Sequence, residues 1–202
     1  MFGGGRMRSF LAVTCPDDIL PDLAVVAAGL PVRDWRAIHA GQRHLTLRFL
    51  GDQPEGLLRG LAAQLGPELS RVPLFRLEFI GLGAFPSRAR PDVLWAGCGG
   101  DGVARLLRLA AAVDAGLAAA GLPPEGRPFR PHLTIGRRRP DVDPARAAAA
   151  VEAVCAAHAG RRWGAVDVAR VVLFRSDLGP AGARHTPLAH LPLASGAHLD
   201  IP

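Results

Sequence analysis

Hydrophobic and polar residues alternate in two short segments of the chain, and such alternation is typical of a half-buried β-strand. The first segment runs from His44 to Leu50 and the second from His132 to Ile135. The side chains expected on the polar faces are His44, Thr46 and Arg48 in the first segment and His132 and Thr134 in the second. Leu45, Leu47, Phe49, Leu133 and Ile135 lie between them and are expected to face the core.

Further apolar patterns predict the other strands and helices. Strands are expected over Arg8–Thr14, Pro73–Phe85 (as one or two strands), Val93–Ala96, Val166–Phe174 and Thr186–Leu193. Helices are expected over Asp17–Leu30, Pro54–Leu69, Asp101–Ala120 and Pro144–His158. No short repeat or low-complexity linker divides the chain. The order therefore predicts one domain over residues 1–202, built of two related halves that each carry one histidine-bearing strand.

The composition is that of a folded globular protein. Hydrophobic residues make up 49% of the 202 residues and charged residues 21%, a balance that argues against disorder. No apolar run approaches the roughly 18 residues needed to cross a bilayer, and the segment before Arg8 lacks an apolar stretch of signal-peptide length. We therefore expect a soluble, cytoplasmic protein with no membrane partner. Cys15, Cys98 and Cys155 are far apart and odd in number, which favours buried side chains over disulfides.

The charge points to an anionic partner but leaves two interpretations open. The net charge is +6, and every basic residue other than histidine is an arginine. The planar guanidinium of arginine suits phosphate, so a partner that carries phosphate, such as a nucleic acid, fits this charge. Exclusive use of arginine beside so much alanine and glycine is also typical of a G+C-rich genome, so charge alone does not decide the function.

The matched tetrapeptides at His44–Leu47 and His132–Ile135 are the most specific feature of the sequence. Both read His-Leu-Thr followed by a branched aliphatic residue. The chain has seven histidines and few threonines, so random placement would give only roughly 0.14 His-x-Thr triplets. Two near-identical copies therefore indicate a shared task. Because residues two apart on a strand project from the same face, each histidine has a threonine hydroxyl beside it.

Two imidazoles and two hydroxyl groups that face each other across a cleft suit acid–base chemistry on a phosphate. One histidine would act as a general base on water, while the other, protonated, would donate to the departing sugar oxygen. Histidine suits both tasks because its ordinary pKa of about 6.5 makes both protonation states accessible near neutrality. The threonine hydroxyls would hold the non-bridging oxygens and stabilise the developing negative charge.

Two other interpretations of the motif pair compete with catalysis. Each His-x-Thr could be an incidental surface pair on an edge strand, which is the better interpretation for a single copy but not for two. A metal site needs a third and a fourth ligand, and the sequence near either strand supplies no cysteine, His-x-x-x-His motif or acidic cluster for them. We therefore expect no metal and no other cofactor.

With these motifs in view, the chain resembles the 2H phosphoesterases, in particular the bacterial RNA 2′,3′-cyclic phosphodiesterases, also called 2′-5′ RNA ligases. The two motif blocks are highly specific and read HLTLRFLG at His44–Gly51 and RPHLTIGR at Arg130–Arg137. Segments Arg8–Val13, Gly81–Pro86 and Val93–Trp95 resemble the opening strand and the central segment of the family. The resemblance extends from about Arg8 to Leu193, which is nearly the whole chain.

The resemblance implies an α+β fold of two lobes related by a pseudo-twofold axis, with antiparallel sheets that flank a positively charged central cleft and helices outside. It implies hydrolysis of RNA 2′,3′-cyclic phosphate ends to 2′-phosphomonoesters without a metal. His44 would be the proton donor and His132 the proton acceptor, and the same site would catalyse 2′-5′ RNA ligation in reverse. The expected partners are RNA or nucleotide 2′,3′-cyclic phosphate ends, with tRNA halves as one candidate, and the chain is expected to be a monomer.

The substrate-binding residues expected around the histidines are Thr46, Thr134, Arg48, Arg130 and Arg137. Alternation places Arg48 on the face of His44, although a solvated or salt-bridged arginine is an equally good interpretation of it. Alternation also places Arg130 on the face of His132 but not Arg137, so Arg130 is favoured as a phosphate ligand. Arg137 is retained because of its place in the motif.

One segment departs from the family pattern. The family commonly continues a late Ser, Leu, Gly segment with a tyrosine, whereas this chain has Ser176-Asp177-Leu178-Gly179 and no tyrosine. His185 stands near the expected position and is a candidate to replace it. A different class of function also stays open, in which the same residues bind an RNA end or a cyclic nucleotide without turnover.

Overall fold

The computed structural model describes residues 5–16, 20–39, 41–179 and 182–194. Over these ranges the chain contains strands and helices in mixed order. The strands are β1 (Arg6–Thr14), β2 (Trp35–Ala37), β3 (His44–Pro54), β4 (Phe75–Pro86), β5 (Pro91–Gly99), β6 (His132–Arg138), β7 (Arg162–Val168), β8 (Arg170–Gly179) and β9 (Gly182–Pro192). The helices are α1 (Pro21–Ala28), α2 (Glu55–Leu69), α3 (Gly102–Ala119) and α4 (Pro144–Ala157).

The strands form two antiparallel sheets, as expected for an α+β fold of this kind. The first sheet has the order β3-β1-β8-β9, and the second has the order β2-β6-β5-β4-β7. The chain crosses between the sheets after β1, β2, β3 and β7, so distant parts of the sequence complete each sheet. Strand β3 of the first sheet contacts β6 of the second. The two histidine-bearing strands are therefore neighbours in space.

The helices cover the sheets and share one hydrophobic core with them. Helices α2 and α3 pack against each other, α4 lies on β5 and β4, and α1 contacts β6. Helix α3 buries Leu106, Leu109, Val113 and Leu117, the face expected from their helical spacing. One buried cluster includes residues of both sheets and of all four helices. The division of this single core into two similar lobes stays a prediction. No described helix is both long and apolar enough to cross a membrane.

Two expected elements differ from the structure, and one strand of the structure was not expected. The strand expected over Val166–Phe174 is two strands in different sheets, because the chain changes sheet at Ala169. The helix expected from Asp17 begins at Pro21, since proline fits the first helical turn, where no N–H bond is needed. The first three residues of that expected helix, 17–19, lie outside the described residues. Strand β2 is only three residues long and was not predicted.

Candidate active site

The two histidine strands line one cleft between the sheets. The cleft has a volume of about 670 Å³, and His44, Thr46, His132 and Thr134 all form part of its wall. The arginines in the wall are Arg8, Arg36 and Arg137. None of the described residues that line the cleft is Asp or Glu. The cleft is therefore positively charged and suits an anion.

The two imidazole rings are held in the same way. Nδ1 of His44 lies 2.8 Å from the carbonyl oxygen of Gln42, and Nδ1 of His132 lies 2.7 Å from that of Arg130. A carbonyl only accepts, so Nδ1 carries the proton and donates it in both rings. The hydrogen bond to the residue two positions earlier fixes this tautomer. Nε2 of each ring is then left without a proton in the neutral state and is able to act as a base.

Aromatic rings fix the orientation of both imidazoles. The His44 ring lies 4.7 Å from the ring centroid of Phe10 and 5.0 Å from that of His185, which meets it edge-on. The His132 ring meets Phe85 edge-on at a centroid distance of 4.8 Å. Such contacts limit rotation about χ1 and χ2 and remove water from one side of each ring. The imidazoles are therefore positioned before any substrate arrives.

Burial makes both histidines harder to protonate. The pKa of His44 is lowered to about 4, with burial as the largest cause. The hydrogen bond to Gln42 opposes this shift, and the nearby charges of His185, Arg137 and His132 add to it. Burial and the charges of Arg137 and Arg130 also lower the pKa of His132. Both rings are therefore neutral at pH 7 in the protein alone. A bound phosphate between them would raise both pKa values, because an opposite charge favours the protonated form.

A β-bulge interrupts each histidine strand at the same place. Leu47 is unpaired in β3 against β1, where Leu50 is a second unpaired residue, and Ile135 is unpaired in β6 against β5. In each case the bulge comes three residues after the histidine. A bulge resets the alternation of side chains, because two residues on one strand oppose one on the other. The residue five positions after each histidine, Phe49 or Arg137, therefore returns to the cleft.

The prediction that Arg48 shares the face of His44 is wrong, because the bulge at Leu47 turns Arg48 toward α3. Its side chain is only 7% exposed, and its Nη1 lies 2.6 Å from Oδ1 of Asp114. Its other Nη donates to the carbonyl oxygen of Pro123 in the loop after α3. Arg48 therefore ties β3 to α3 and does not reach a ligand in the cleft.

The prediction that Arg137 does not share the face of His132 is also wrong, because the bulge at Ile135 returns Arg137 to the cleft. Arg137 lies in the wall of the cleft, and its charge lowers the pKa of His44, His132 and His185. The guanidinium carbon of Arg130 instead lies 4.7 Å from the ring centroid of Phe85. Alternation missed Arg137 because of the bulge at Ile135. Arg137 is therefore an arginine of the cleft wall whose charge acts on both His44 and His132.

Phe49 and His185 also line the cleft on the side of the first sheet. Phe49 was expected in the core, but its side chain is 57% exposed and lines the cleft. His185 lies on β9 beside the His44 ring, where burial and the charge of Arg137 lower its pKa. No sequence signal predicts that Phe49 faces the cleft. The sequence does indicate His185, because it follows the Ser176-Asp177-Leu178-Gly179 segment. The replacement of the family tyrosine by His185 stays a prediction.

Within the described ranges, no group of three or more His, Cys, Asp or Glu side chains is placed to hold a metal ion. Cys15, Cys98 and Cys155 all lie in these ranges, and none of them forms a disulfide.

Two antiparallel sheets with one His-x-Thr strand on each side of a cleft are the arrangement of a 2H phosphoesterase. The chain belongs to the 2′-5′ RNA ligase superfamily, whose family model matches residues 26–180.

Comparison with known proteins gives the same family over most of the chain. An RNA 2′,3′-cyclic phosphodiesterase of Thermus thermophilus is 34% identical over 190 residues, which are 90% of this chain and 88% of that protein. A crystal structure of a Thermus thermophilus protein matches with a TM-score of 0.73 and 32% identity, and the match covers 94% of this chain and 99% of that one. Escherichia coli LigT in complex with 3′-AMP matches with a TM-score of 0.70 and 27% identity, over 93% and 98% of the two chains.

Proposed function

We propose that this protein hydrolyses RNA 2′,3′-cyclic phosphates to 2′-phosphomonoesters in the cleft between the sheets. The observation that carries the proposal is the placement of two histidine–threonine pairs and Arg137 around one cleft whose described wall holds no carboxylate. The name of the Thermus thermophilus relative supports the same substrate. Escherichia coli LigT has been crystallised with phosphate, which supports an anion in this cleft.

The reaction needs one proton transfer at each histidine. Nε2 of His132 removes a proton from water, and the water oxygen attacks phosphorus. The bond between phosphorus and the 3′ oxygen of the ribose breaks, and that oxygen takes a proton from Nε2 of His44. The products are a 2′-phosphomonoester and a free 3′-hydroxyl group. Each proton transfer typically contributes on the order of 10²–10⁴ in rate.

The remaining polar groups stabilise the phosphate while charge builds on its non-bridging oxygens. The hydroxyl groups of Thr46 and Thr134 lie on the faces of their histidines and donate hydrogen bonds to these oxygens. Arg137 adds a full positive charge from the wall of the same cleft. Preorganised donors of this kind are effective because they need no rearrangement during the reaction.

The acidic pKa of His44 gives the first testable consequence. His44 must be protonated to donate, and His132 must be neutral to accept. Because both pKa values lie below the ordinary value of about 6.5, we expect a bell-shaped profile of kcat/KM with its maximum below pH 6.5. The acidic limb marks protonation of both rings, and the alkaline limb marks loss of the last proton from the pair of histidines. The profile of kcat should be displaced to higher pH, because bound phosphate raises both values.

Initial rates at several pH values and substrate concentrations test this expectation. The variant His185→Gln removes the charge of His185, which lowers the pKa of His44, so the maximum of its kcat/KM profile should lie at higher pH than in the wild type. A wild-type maximum of kcat/KM at pH 8 or above would contradict the proposed protonation states.

The activity itself is tested with a nucleoside 2′,3′-cyclic phosphate. We expect one product, the nucleoside 2′-phosphate, formed equally well with and without EDTA. Formation of the 3′-phosphate would contradict the proposed position of the donor. Measurable binding without any product would favour the alternative function, in which the protein only binds RNA ends.

The ligation of RNA halves, the monomeric state, tRNA halves as substrate and the cytoplasmic location stay predictions.

A further inference from the structure

Two arginines of the cleft wall lie directly opposite each other. Arg36 of β2 pairs with Arg137 of β6 in the antiparallel register of the second sheet. Like charges in such cross-strand positions destabilise a sheet. Neither arginine forms an ion pair with a carboxylate within the described part of the chain. The next arginine along β6, Arg138, contrasts with them because its Nη2 lies 2.6 Å from Oδ1 of Asp92.

The two guanidinium groups occupy different parts of the cleft. The charge of Arg137 lowers the pKa of His44 and His132, so Arg137 lies next to the imidazoles. The charge of Arg36 in turn lowers the pKa of Arg137. Both arginines belong to the cleft wall, and Arg36 is not among the charges that act on either histidine. The Arg36 guanidinium therefore lies farther from the imidazoles than that of Arg137, and we call its place the outer position.

Arg36 bridges the two sheets at this outer position. A Cβ atom added to Gly182, at the start of β9, would lie 3.2 Å from Nη1 of Arg36. The guanidinium thus extends from β2 of the second sheet to β9 of the first. Gly182 also has a φ of +118°, a conformation that glycine adopts readily. The missing side chain at Gly182 leaves room for the Arg36 head.

We propose that Arg36 binds a second phosphate of the substrate, the internucleotide phosphodiester on the 5′ side of the nucleotide that carries the cyclic phosphate. This inference rests on the proposed function, because Arg137 and the histidines hold the first phosphate. An arginine fork matches the oxygens of a phosphodiester. A second anion also relieves the repulsion between Arg36 and Arg137. The site therefore selects an RNA end over a free mononucleotide.

Three substrates test this selection: a nucleoside 2′,3′-cyclic phosphate, a dinucleotide with a terminal 2′,3′-cyclic phosphate, and the same dinucleotide with a neutral methylphosphonate linkage. In the wild type we expect kcat/KM to be about tenfold higher for the charged dinucleotide than for the other two, as for a charge-assisted hydrogen bond. In Arg36→Gln this preference should fall to within about twofold. Arg36→Lys should keep part of it, because the charge remains.

The matched control is Arg33→Gln, which removes an exposed arginine outside the cleft wall and should keep the wild-type preference. An equal kcat/KM of the wild type for the charged and neutral dinucleotides would overturn the inference. So would an Arg36→Gln variant that still prefers the charged linkage. Failure of the proposed function is a distinct result, because no variant would then turn over even the mononucleotide.

Discussion

Replacement of either His44 or His132 by alanine should lower kcat for cyclic-phosphate hydrolysis by about 10²–10⁴ each. In the proposed mechanism each ring supplies one of the two proton transfers. No other described titratable group in the cleft wall combines a threonine hydroxyl on the same strand face with an Nδ1 that donates to a backbone carbonyl. The double variant should lose little more than the worse single variant, because residues that act as a unit give non-additive effects. Steady-state rates with a nucleoside 2′,3′-cyclic phosphate measure the loss.

The matched control for this experiment is His190→Ala. His190 is exposed on β9 and lies opposite Val172 of β8, so its loss should leave kcat within about twofold of the wild type. Circular dichroism should show that the two single variants, the double variant and His190→Ala are all folded, since neither His44 nor His132 belongs to the hydrophobic core. A double variant that keeps full activity would remove the basis of the proposed chemistry.

Arg48→Met should destabilise the protein without removing its activity. The Arg48 side chain is 7% exposed, and its guanidinium contacts Asp114. Methionine therefore keeps the buried aliphatic part but leaves Asp114 and the Pro123 carbonyl without their donor. Loss of a buried ion pair typically costs about 3–5 kcal/mol, and the partial exposure of Asp114 reduces this to about 2–3 kcal/mol. Urea unfolding measures the change. At temperatures where the variant is folded, we expect kcat/KM within about threefold of the wild type.

Arg59→Met is the control for Arg48→Met. Arg59 pairs with Glu55 within α2, but its side chain is 78% exposed, so its loss should cost less than about 0.5 kcal/mol. If Arg48→Met were as stable as the wild type and lost more than tenfold in kcat/KM, Arg48 would be a substrate ligand after all. The two variants therefore separate a structural arginine from a binding one.

The sequence predicted the elements that depend on simple periodicity. Both His-x-Thr strands are present, and Leu45 and Leu133, the residues between histidine and threonine, are fully buried. Helix α3 lies within one residue of its expected bounds at each end, because four apolar side chains at helical spacing must face a core. The pairing of two similar motifs also predicted that their strands serve one site.

Periodicity could not predict the bulges, and the errors at the site follow from them. The unpaired Leu47 in β3 moves Arg48 out of the cleft and Phe49 into it, and the unpaired Ile135 in β6 brings Arg137 into the cleft. Local sequence does not specify which residue of a strand is left unpaired, because the partner strand decides it. The sequence did not indicate Arg36 as a cleft residue for a related reason. Its three-residue strand β2 is too short for a periodic pattern and forms only through its pairing with β6.

The two histidines are equivalent in sequence but not in their surroundings. Both rings donate from Nδ1 to the carbonyl two residues earlier. His44 is enclosed by Phe10 and His185, whereas His132 contacts Phe85 and lies near Arg130. These differences arise from strands far apart in the chain. They explain why sequence alone did not separate the donor from the acceptor.

A crystal structure with a nucleoside 2′-phosphate, the proposed product, tests the central claim most directly. We expect its phosphorus between the two rings, with one phosphate oxygen within hydrogen-bond distance of Nε2 of His44 and another within that distance of Nε2 of His132. The hydroxyl groups of Thr46 and Thr134 should donate to the same phosphate. A phosphate bound outside the cleft, or one that contacts only one imidazole, would contradict the account.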